Sequence, residues 1–212
     1  MVTFLAIRHT LGVQTEIWEL DSIVAHDRYE PTVLGRPEVS TIGGRNAVRF
    51  DGRSDGLELL RNPLRSMRRF TCSVDIFPES GGGFEQRFLH AGTVHGDRAL
   101  LELRANSDGS WYLDVYLSIG ACGLSLRDEA KAHPSNRWYT TTLSFDGTLL
   151  RGFVDGREEL CGELNCSDDS SREMESPTVS GDRCSLGMRQ NRTSFFKGYL
   201  SQVVWRSVGV AG

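Results

Sequence analysis

The feature of the sequence that most constrains its fold is a series of short runs in which apolar and polar residues alternate. In residues 70–77 every second residue is apolar, from Phe70 to Ile76, and Pro78 ends the run. Asp-Gly pairs, which favour tight turns, border such runs at Asp51-Gly52, Asp108-Gly109, Asp146-Gly147 and Asp155-Gly156. Alternation with period two between turn signals is typical of antiparallel strands. The pattern predicts an all-β fold, with two antiparallel sheets packed face to face as a jelly-roll β-sandwich.

Length and composition agree with this fold. We expect the 212 residues to form a single domain over 1–212, with at most a short helix near residues 128–132. The formal net charge of −4 makes nucleic acid and anionic membranes poor partners, and no run approaches the roughly 20 apolar residues of a membrane span. Because the N-terminal residues lack the features of a secretory signal, we expect a cytoplasmic protein, or a secreted one if a signal has been removed.

The cysteines indicate no clear pattern of disulfide bonds. There are five, at positions 72, 122, 161, 166 and 184, and none forms a Cys-x-x-Cys pair. We expect free thiols in a reducing compartment, with a Cys161–Cys166 bridge as the alternative. We expect no metal site and no cofactor.

Four segments resemble the concanavalin A-like lectin and glucanase superfamily, in its laminin-G-like branch. These segments are Ala47–Gly52 with Asp55-Gly56-Leu57; Phe70–Pro78; Trp138-Tyr139 through Phe145-Asp146-Gly147 to Phe153–Gly156; and Cys184–Gly187 with Phe196–Leu200. Their order and spacing both fit the family over roughly residues 45 to 206. The resemblance implies a jelly-roll sandwich that binds saccharides on the concave outer face of one sheet.

The sequence departs from the family at two places. The family's last strand usually carries an acidic residue that helps to hold a structural calcium, and Gln202 lies in the equivalent stretch. A calcium of the family type is therefore doubtful. The paired carboxylates of the glucanase branch are also absent, which argues against a retaining glycosidase of that type.

In one hairpin, spanning residues 99–119, apolar residues alternate with charged or aromatic polar ones. The apolar set must face the core, so the polar sets of both strands should be cross-strand neighbours on the outer face. This predicted patch contains Glu102, Arg104, Tyr112, Asp114 and Tyr116. Its side chains can grip hydroxyl groups, stack on sugar rings or move protons. The alternative is a solvated sheet face with cross-strand salt bridges.

The next strand offers a second set of candidates. Simple alternation over residues 85–90 places Gln86, Phe88 and His90 on one face and Arg87 on the other, so either Arg87 or the Gln86/His90 pair could reach the groove. His26 and His133 are further candidate ligand-binding residues. We expect His26 in an N-terminal strand or loop, and His133 in a loop at the rim of the groove.

Three functional hypotheses follow. The first is a lectin-like domain that binds a saccharide on its concave face. The second is an enzyme on the same face, either a lyase for an acidic polysaccharide or an isomerase or cyclase for a small metabolite. In that case Arg104 or Arg87 would stabilise charge, Tyr112 or Tyr116 would be the acid, and His90 would be the base. The third is a protein-interaction domain without a small ligand.

Overall fold

The structure is a computed structural model that describes residues 2–10, 13–21, 31–164 and 178–207. Strands in the described residues form two antiparallel sheets, and we number them in chain order. The nine-stranded sheet contains β1 (Val2–Thr10), β2 (Val13–Leu20), β4 (Glu38–Ile42), β5 (Arg45–Asp51), β7 (Phe70–Pro78), β13 (Tyr139–Phe145), β14 (Leu149–Val154), β15 (Arg157–Glu163) and β17 (Lys197–Ser207). The eight-stranded sheet contains β3 (Thr32–Leu34), β6 (Gly56–Leu59), β8 (Glu85–Gly92), β9 (Arg98–Ala105), β10 (Ser110–Ile119), β11 (Cys122–Arg127), β12 (His133–Pro134) and β16 (Arg183–Leu186).

The predicted jelly-roll sandwich is confirmed. In β7, buried and half-buried side chains alternate along the whole strand, as the sequence pattern requires. The apolar faces of the two sheets meet in one core, where Trp18 packs on Trp205 with ring centroids 5.0 Å apart. Each large apolar side chain buried in this way stabilises the fold by about 1.5–3 kcal/mol.

In the eight-stranded sheet the strand order is β11-β10-β9-β8-β16-β6-β3. The hairpin of β9 and β10 therefore lies beside β8, and β8 lies beside β16. After β16 the chain crosses to the other sheet and enters β17, which pairs with β7, β2 and β5. This crossing segment, residues 187–196, passes along the side of β8, where the Phe195 backbone bridges to that of Arg87.

Three predictions of local structure are wrong. Residues 128–132 form turns rather than a helix, and a short 3-10 helix lies instead at Pro63–Ser66, where Asn62 caps the Leu64 amide. Cys122 is disulfide-bonded, so the expectation of free thiols fails at this residue. Cys161 is a free, exposed thiol, which contradicts its predicted bridge to Cys166.

Within the described residues, no helix is long and apolar enough to cross a membrane.

Candidate functional site

The polar face predicted from β9 and β10 lies on the outer side of the eight-stranded sheet. The strands pair so that Glu102 lies opposite Asp114 and Arg104 lies opposite Tyr112, and Tyr116 shares the same face. The intervening side chains of both strands are buried in the core. The sequence therefore predicted correctly which residues are cross-strand neighbours.

Arg104 lies at the centre of an ion network on this face. Its Nε and Nη2 atoms lie 2.8 and 2.7 Å from Oδ2 of Asp114, and its Nη1 donates to Oε2 of Glu85 at 2.5 Å. The Ser194 hydroxyl donates to the other oxygen of Glu85 at 2.9 Å. The planar guanidinium is thus held by two carboxylates, the geometry in which charge-assisted hydrogen bonds are strongest.

Arg87 on β8 extends the network. Its Nη2 lies 2.7 Å from Oε2 of Glu102 and 3.2 Å from Oε1 of Glu85. Arg87, Glu102 and Asp114 are only 5%, 2% and 1% exposed, although they lie on the side of the sheet that faces away from the core. A solvated face with surface salt bridges would leave such charges in water, so that alternative does not describe this face.

The burial of Glu102 changes its acidity. Burial raises the pKa of Glu102 to about 7. The positive charge of Arg87 lowers the pKa and so opposes this shift, while the negative charge of Asp114 raises it further. A carboxyl group with such a pKa exchanges its proton near neutral pH. Shifts of this size, when caused by burial beside charged partners, are more frequent at functional sites than elsewhere.

A β-bulge in β8 decides which residues join this face. The pairing register shifts between Arg87 and Leu89, so Phe88 is an extra residue in the strand. The bulge reverses the alternation, and Arg87 and His90 consequently both lie on the outer face. The prediction that Gln86, Phe88 and His90 share one face is therefore wrong.

Gln86 belongs to the packing of the sandwich and not to the outer face. It is 2% exposed, its Nε2 donates to the Gly83 carbonyl at 2.9 Å, and its Oε1 accepts the Lys197 amide at 2.8 Å. These bonds connect the start of β8 to the start of β17.

His90 is fully buried, and both of its ring nitrogens have backbone partners. Nε2 lies 2.9 Å from the Thr93 carbonyl, so it carries the proton, and Nδ1 lies 3.4 Å from the Gln190 amide. Burial lowers the pKa of His90 to about 4, although the bond to Thr93 opposes this. A neutral imidazole with both nitrogens engaged is not available as the base of a proton transfer.

Two arginines that the sequence interpretation did not select lie close to this network. The Arg98 guanidinium lies over the ring of half-buried Tyr116, 4.6 Å from its centroid. Arg189 comes from the crossing segment; burial lowers the pKa of its guanidinium, and the charges of Arg87 and Arg98 lower it further. Alternation could have found Arg98, which lies in phase with Glu102. Arg189 is in a loop, where no periodicity applies.

An exposed aromatic residue was also missed. Phe84, just before β8, is 63% exposed, and the Arg104 guanidinium lies 5.7 Å from its ring centroid. Its exposed ring therefore lies beside the charged network.

The remaining predicted site residues lie elsewhere or contribute little surface. His133 is at the sheet edge, where its Nε2 lies 3.0 Å from Glu159 Oε2 and its ring packs near Trp111. Tyr112 lies on the outer face but is only 6% exposed. His26 lies outside the described residues.

The expected lack of a structural calcium of the family type stays a prediction. No group of three or more His, Cys, Asp or Glu side chains converges in the part of the chain that the structure describes. Gln202, at the position of the family's acidic ligand, donates its side-chain amide to Glu19 at 2.6 Å. Its polar group is therefore engaged within the sheet.

Comparisons with known proteins support the fold. No protein-family model and no curated protein sequence matches the chain. Among solved structures, it is similar to tailspike protein 2 of an Escherichia coli O157:H7 bacteriophage, with a TM-score of 0.59 and 16% identity over 82% of this chain and 25% of the tailspike. The binding domain of botulinum neurotoxin DC in complex with SialylT gives a TM-score of 0.53 and 10% identity over 84% of this chain and 42% of that one. β-Agarase A from Zobellia galactanivorans gives a TM-score of 0.50 and 8% identity over 84% of this chain and 82% of the agarase.

The chain spans only about a quarter of the tailspike's length. At identities this low the likenesses show a shared jelly-roll β-sandwich, consistent with a concanavalin A-like fold.

Proposed function

We propose that the protein binds a saccharide on the outer face of its eight-stranded sheet. The observation that carries the proposal is the burial of charge there, because Arg87, Glu102 and Asp114 are each at least 95% buried on a face that does not contribute to the core. Burying charges costs stability unless they are paired and positioned, and carboxyl groups whose pKa is shifted by burial beside charged partners are more frequent at functional sites than elsewhere.

The other sheet provides an internal comparison. On its outer face, Arg49 pairs with Glu79 at 3.0 Å and Arg45 pairs with Asp75 at 3.4 Å. These side chains are between 22% and 49% exposed, as expected for ordinary surface salt bridges. Among the described residues of the two outer faces, these pairs are exposed on the nine-stranded sheet, whereas the network on the eight-stranded sheet is buried.

Aromatic groups beside the network support a sugar ligand. Tyr116 and Phe84 each present a ring that an arginine contacts, and sugar rings stack on such surfaces while charged side chains hold their hydroxyl groups. Two of the structural neighbours also have saccharides in their names: the neurotoxin domain is in complex with SialylT, and the agarase is named for agarose.

The lyase alternative has less support than binding. It needs a base on this face, and two groups come into question. His90 uses both ring nitrogens in contacts to backbone groups, and Glu102, whose pKa is about 7, is 2% exposed and paired with Arg87. We therefore propose binding without turnover.

A glycan array tests the proposal with two matched variants. Tyr116→Ala removes an aromatic ring from the proposed face, and Tyr199→Ala removes one from the other sheet, where Arg49 lies 5.9 Å from the ring centroid. We expect the wild type and Tyr199→Ala to bind the same glycans, and Tyr116→Ala to bind them at least about tenfold more weakly, because it loses a stacking surface. Equal loss in both variants, or no glycan bound by the wild type, would contradict the proposal.

A further inference from the structure

Three arginines meet around His90 on the outer face. Arg87 lies on β8, Arg98 lies on β9, and Arg189 lies in the crossing segment after β16. Arg98 pairs with Gly92, two residues beyond His90, and the amide of Gln190, next to Arg189, lies 3.4 Å from Nδ1 of His90. The positive charges of all three arginines lower the pKa of His90. Three strands or segments thus bring like charges together at one point.

Several N–H groups of these arginines have no hydrogen-bond acceptor among the described residues. Nε and Nη1 of Arg87, Nε of Arg98 and Nε of Arg189 are all buried, and none has a hydrogen-bond partner among the described residues. Arg87 as a whole is 5% exposed. Oε2 of Glu102 is also buried without a hydrogen-bond partner, although it lies 2.7 Å from Nη2 of Arg87. Buried donors are almost always paired in folded proteins, and one such oxygen does not satisfy four N–H-bearing atoms, so the cluster indicates a missing acceptor.

The nearby carboxylates do not supply that acceptor. Asp114 and Glu85 both bond to Arg104, and Glu102 contacts Arg87 only through Nη2. In the described part of the chain, neither Arg98 nor Arg189 forms an ion pair. The negative charges of Glu102 and Glu85 act on Arg189, but neither carboxylate forms an ion pair with it.

We propose that Arg87, Arg98 and Arg189 form a subsite for an oxyanion carried by the bound saccharide, either a carboxylate or a sulfate ester. The inference rests on the proposed function and names the class of saccharide: an acidic one. Guanidinium groups bind planar or tetrahedral oxyanions with two or more parallel hydrogen bonds. Tyr116, which Arg98 contacts, would place the sugar ring next to its charged substituent.

A test with simple anions does not depend on the identity of the glycan. The thermal unfolding midpoint is measured in sodium sulfate and in sodium chloride at equal ionic strength, for the wild type, Arg98→Gln, Arg189→Gln and the control Arg45→Gln. Arg45 is half exposed on the other sheet and pairs with Asp75. Sulfate stabilises most proteins to some degree, so the quantity that matters is the difference between variants.

We expect sulfate to raise the midpoint of the wild type and Arg45→Gln by the same amount, and to raise those of Arg98→Gln and Arg189→Gln by clearly less. An equal shift in all four proteins would overturn the inference. Because both arginines of the test are partly exposed, their replacement leaves the buried core intact.

A second arm uses glycans that differ only in charge. Oligogalacturonate is compared with its methyl ester, and a sulfated galactan oligosaccharide with its desulfated form. We expect binding of one or both charged members, at least about tenfold weakened by Arg98→Gln or Arg189→Gln, because each variant removes a charge-assisted bond. The preferred member identifies the carboxylate or the sulfate.

The two arms separate this inference from the proposed function. If glycans bind through Tyr116 but charged and neutral forms bind equally, the proposed function stands and the acidic subsite is wrong. If the sulfate effect depends on the two arginines and no glycan binds, the proposed function is wrong and the anion site remains.

Discussion

A carboxyl group on the outer side of a β-sheet usually faces water, and its pKa then stays close to 4.5. Glu102 differs because it is 2% exposed, and burial raises its pKa to about 7 even with Arg87 beside it. The neutral carboxyl is therefore favoured in the folded state over most of the acidic range. As pH rises from about 4.5 to 7, the unfolded chain releases this proton before the folded one does, so Glu102 lowers the free energy of unfolding across that window.

The variant Glu102→Gln tests this account, because glutamine is neutral at every pH. The quantity of interest is the free energy of unfolding of Glu102→Gln minus that of the wild type. We expect this difference to increase by up to about 3 kcal/mol between pH 4.5 and 7, and to stay constant above and below that range. Urea unfolding at pH 4.5 and pH 8 measures it. His90 titrates over an overlapping range with the opposite sign, but it is common to both proteins, so its contribution cancels in the comparison.

A difference that is the same at both pH values would show that folding leaves the pKa of Glu102 unchanged.

At the scale of single residues, the sequence predicted positions better than environments. Alternation correctly put Glu102, Arg104 and Tyr116 on one face. It could not predict that Glu102 would be buried or that His90 would lose its availability as a base, because burial depends on what packs over a face and not on the period of the strand itself.

At the scale of elements, the bulge in β8 and the segment after β16 assemble the face. The bulge at Phe88 turns Arg87 and His90 to the same side, and the crossing segment brings Arg189 to them. Gly187 begins that segment: its amide donates to the Phe88 carbonyl at 3.2 Å, and its carbonyl accepts the Phe196 amide at 2.8 Å.

Gly187 is a position where only glycine fits. Its φ of +76° is in the left-handed region, and a Cβ atom would lie 2.2 Å from a ring carbon of buried Phe50. Gly44 has nearly the same φ, +77°, but a Cβ atom added there would have no heavy atom within 4 Å. An alanine at either position is strained by the positive φ, but only an alanine at Gly187 also overlaps a neighbour. Comparing the two variants therefore separates the cost of backbone strain from the cost of steric overlap.

We expect Gly44→Ala to lower the free energy of unfolding by about 1 kcal/mol, from backbone strain alone. Gly187→Ala should lower it by at least about 3 kcal/mol, because Phe50 must also move within a packed core. Urea unfolding of both variants gives the comparison. Equal losses would mean that the crossing segment has room to shift, and that its path is not fixed by this residue.

The strands of the hairpins could be predicted, while the bulge and the crossing segment could not. Asp-Gly turns and alternation mark β9, β10, β13 and β14 clearly. A bulge has no such signal, since one extra residue leaves both flanking runs alternating and only their relative phase changes. Short or polar strands such as β3, β4 and β12 were missed because they bury too few apolar side chains to show a period.

At the scale of the whole molecule, the two sheets have different outer faces. One has exposed salt bridges, such as that of Arg45 with Asp75; the other has a buried ion network and arginines with free donors. The sandwich itself follows from the sequence pattern, and the solved structures support it. The laminin-G-like branch stays a prediction, because its motifs describe a scaffold that many binding faces share.

The asymmetry between the faces could not be predicted from composition. The formal net charge of −4 suggested no preference for anions, yet the positive charge is concentrated locally, with Arg87, Arg98 and Arg189 contributed by separate parts of the chain. Only the folded arrangement brings them together.

The central claim is that the outer face of the eight-stranded sheet is the binding surface. Backbone amide NMR during titration with the glycan that binds most tightly on the array tests it most directly. The account predicts shifts concentrated in β8, β9, β10 and residues 187–196, with Tyr199 and Asp75 of the other sheet unchanged. Shifts confined to the nine-stranded sheet or to the ends of the sandwich, with Arg98 and Tyr116 unaffected, would contradict it.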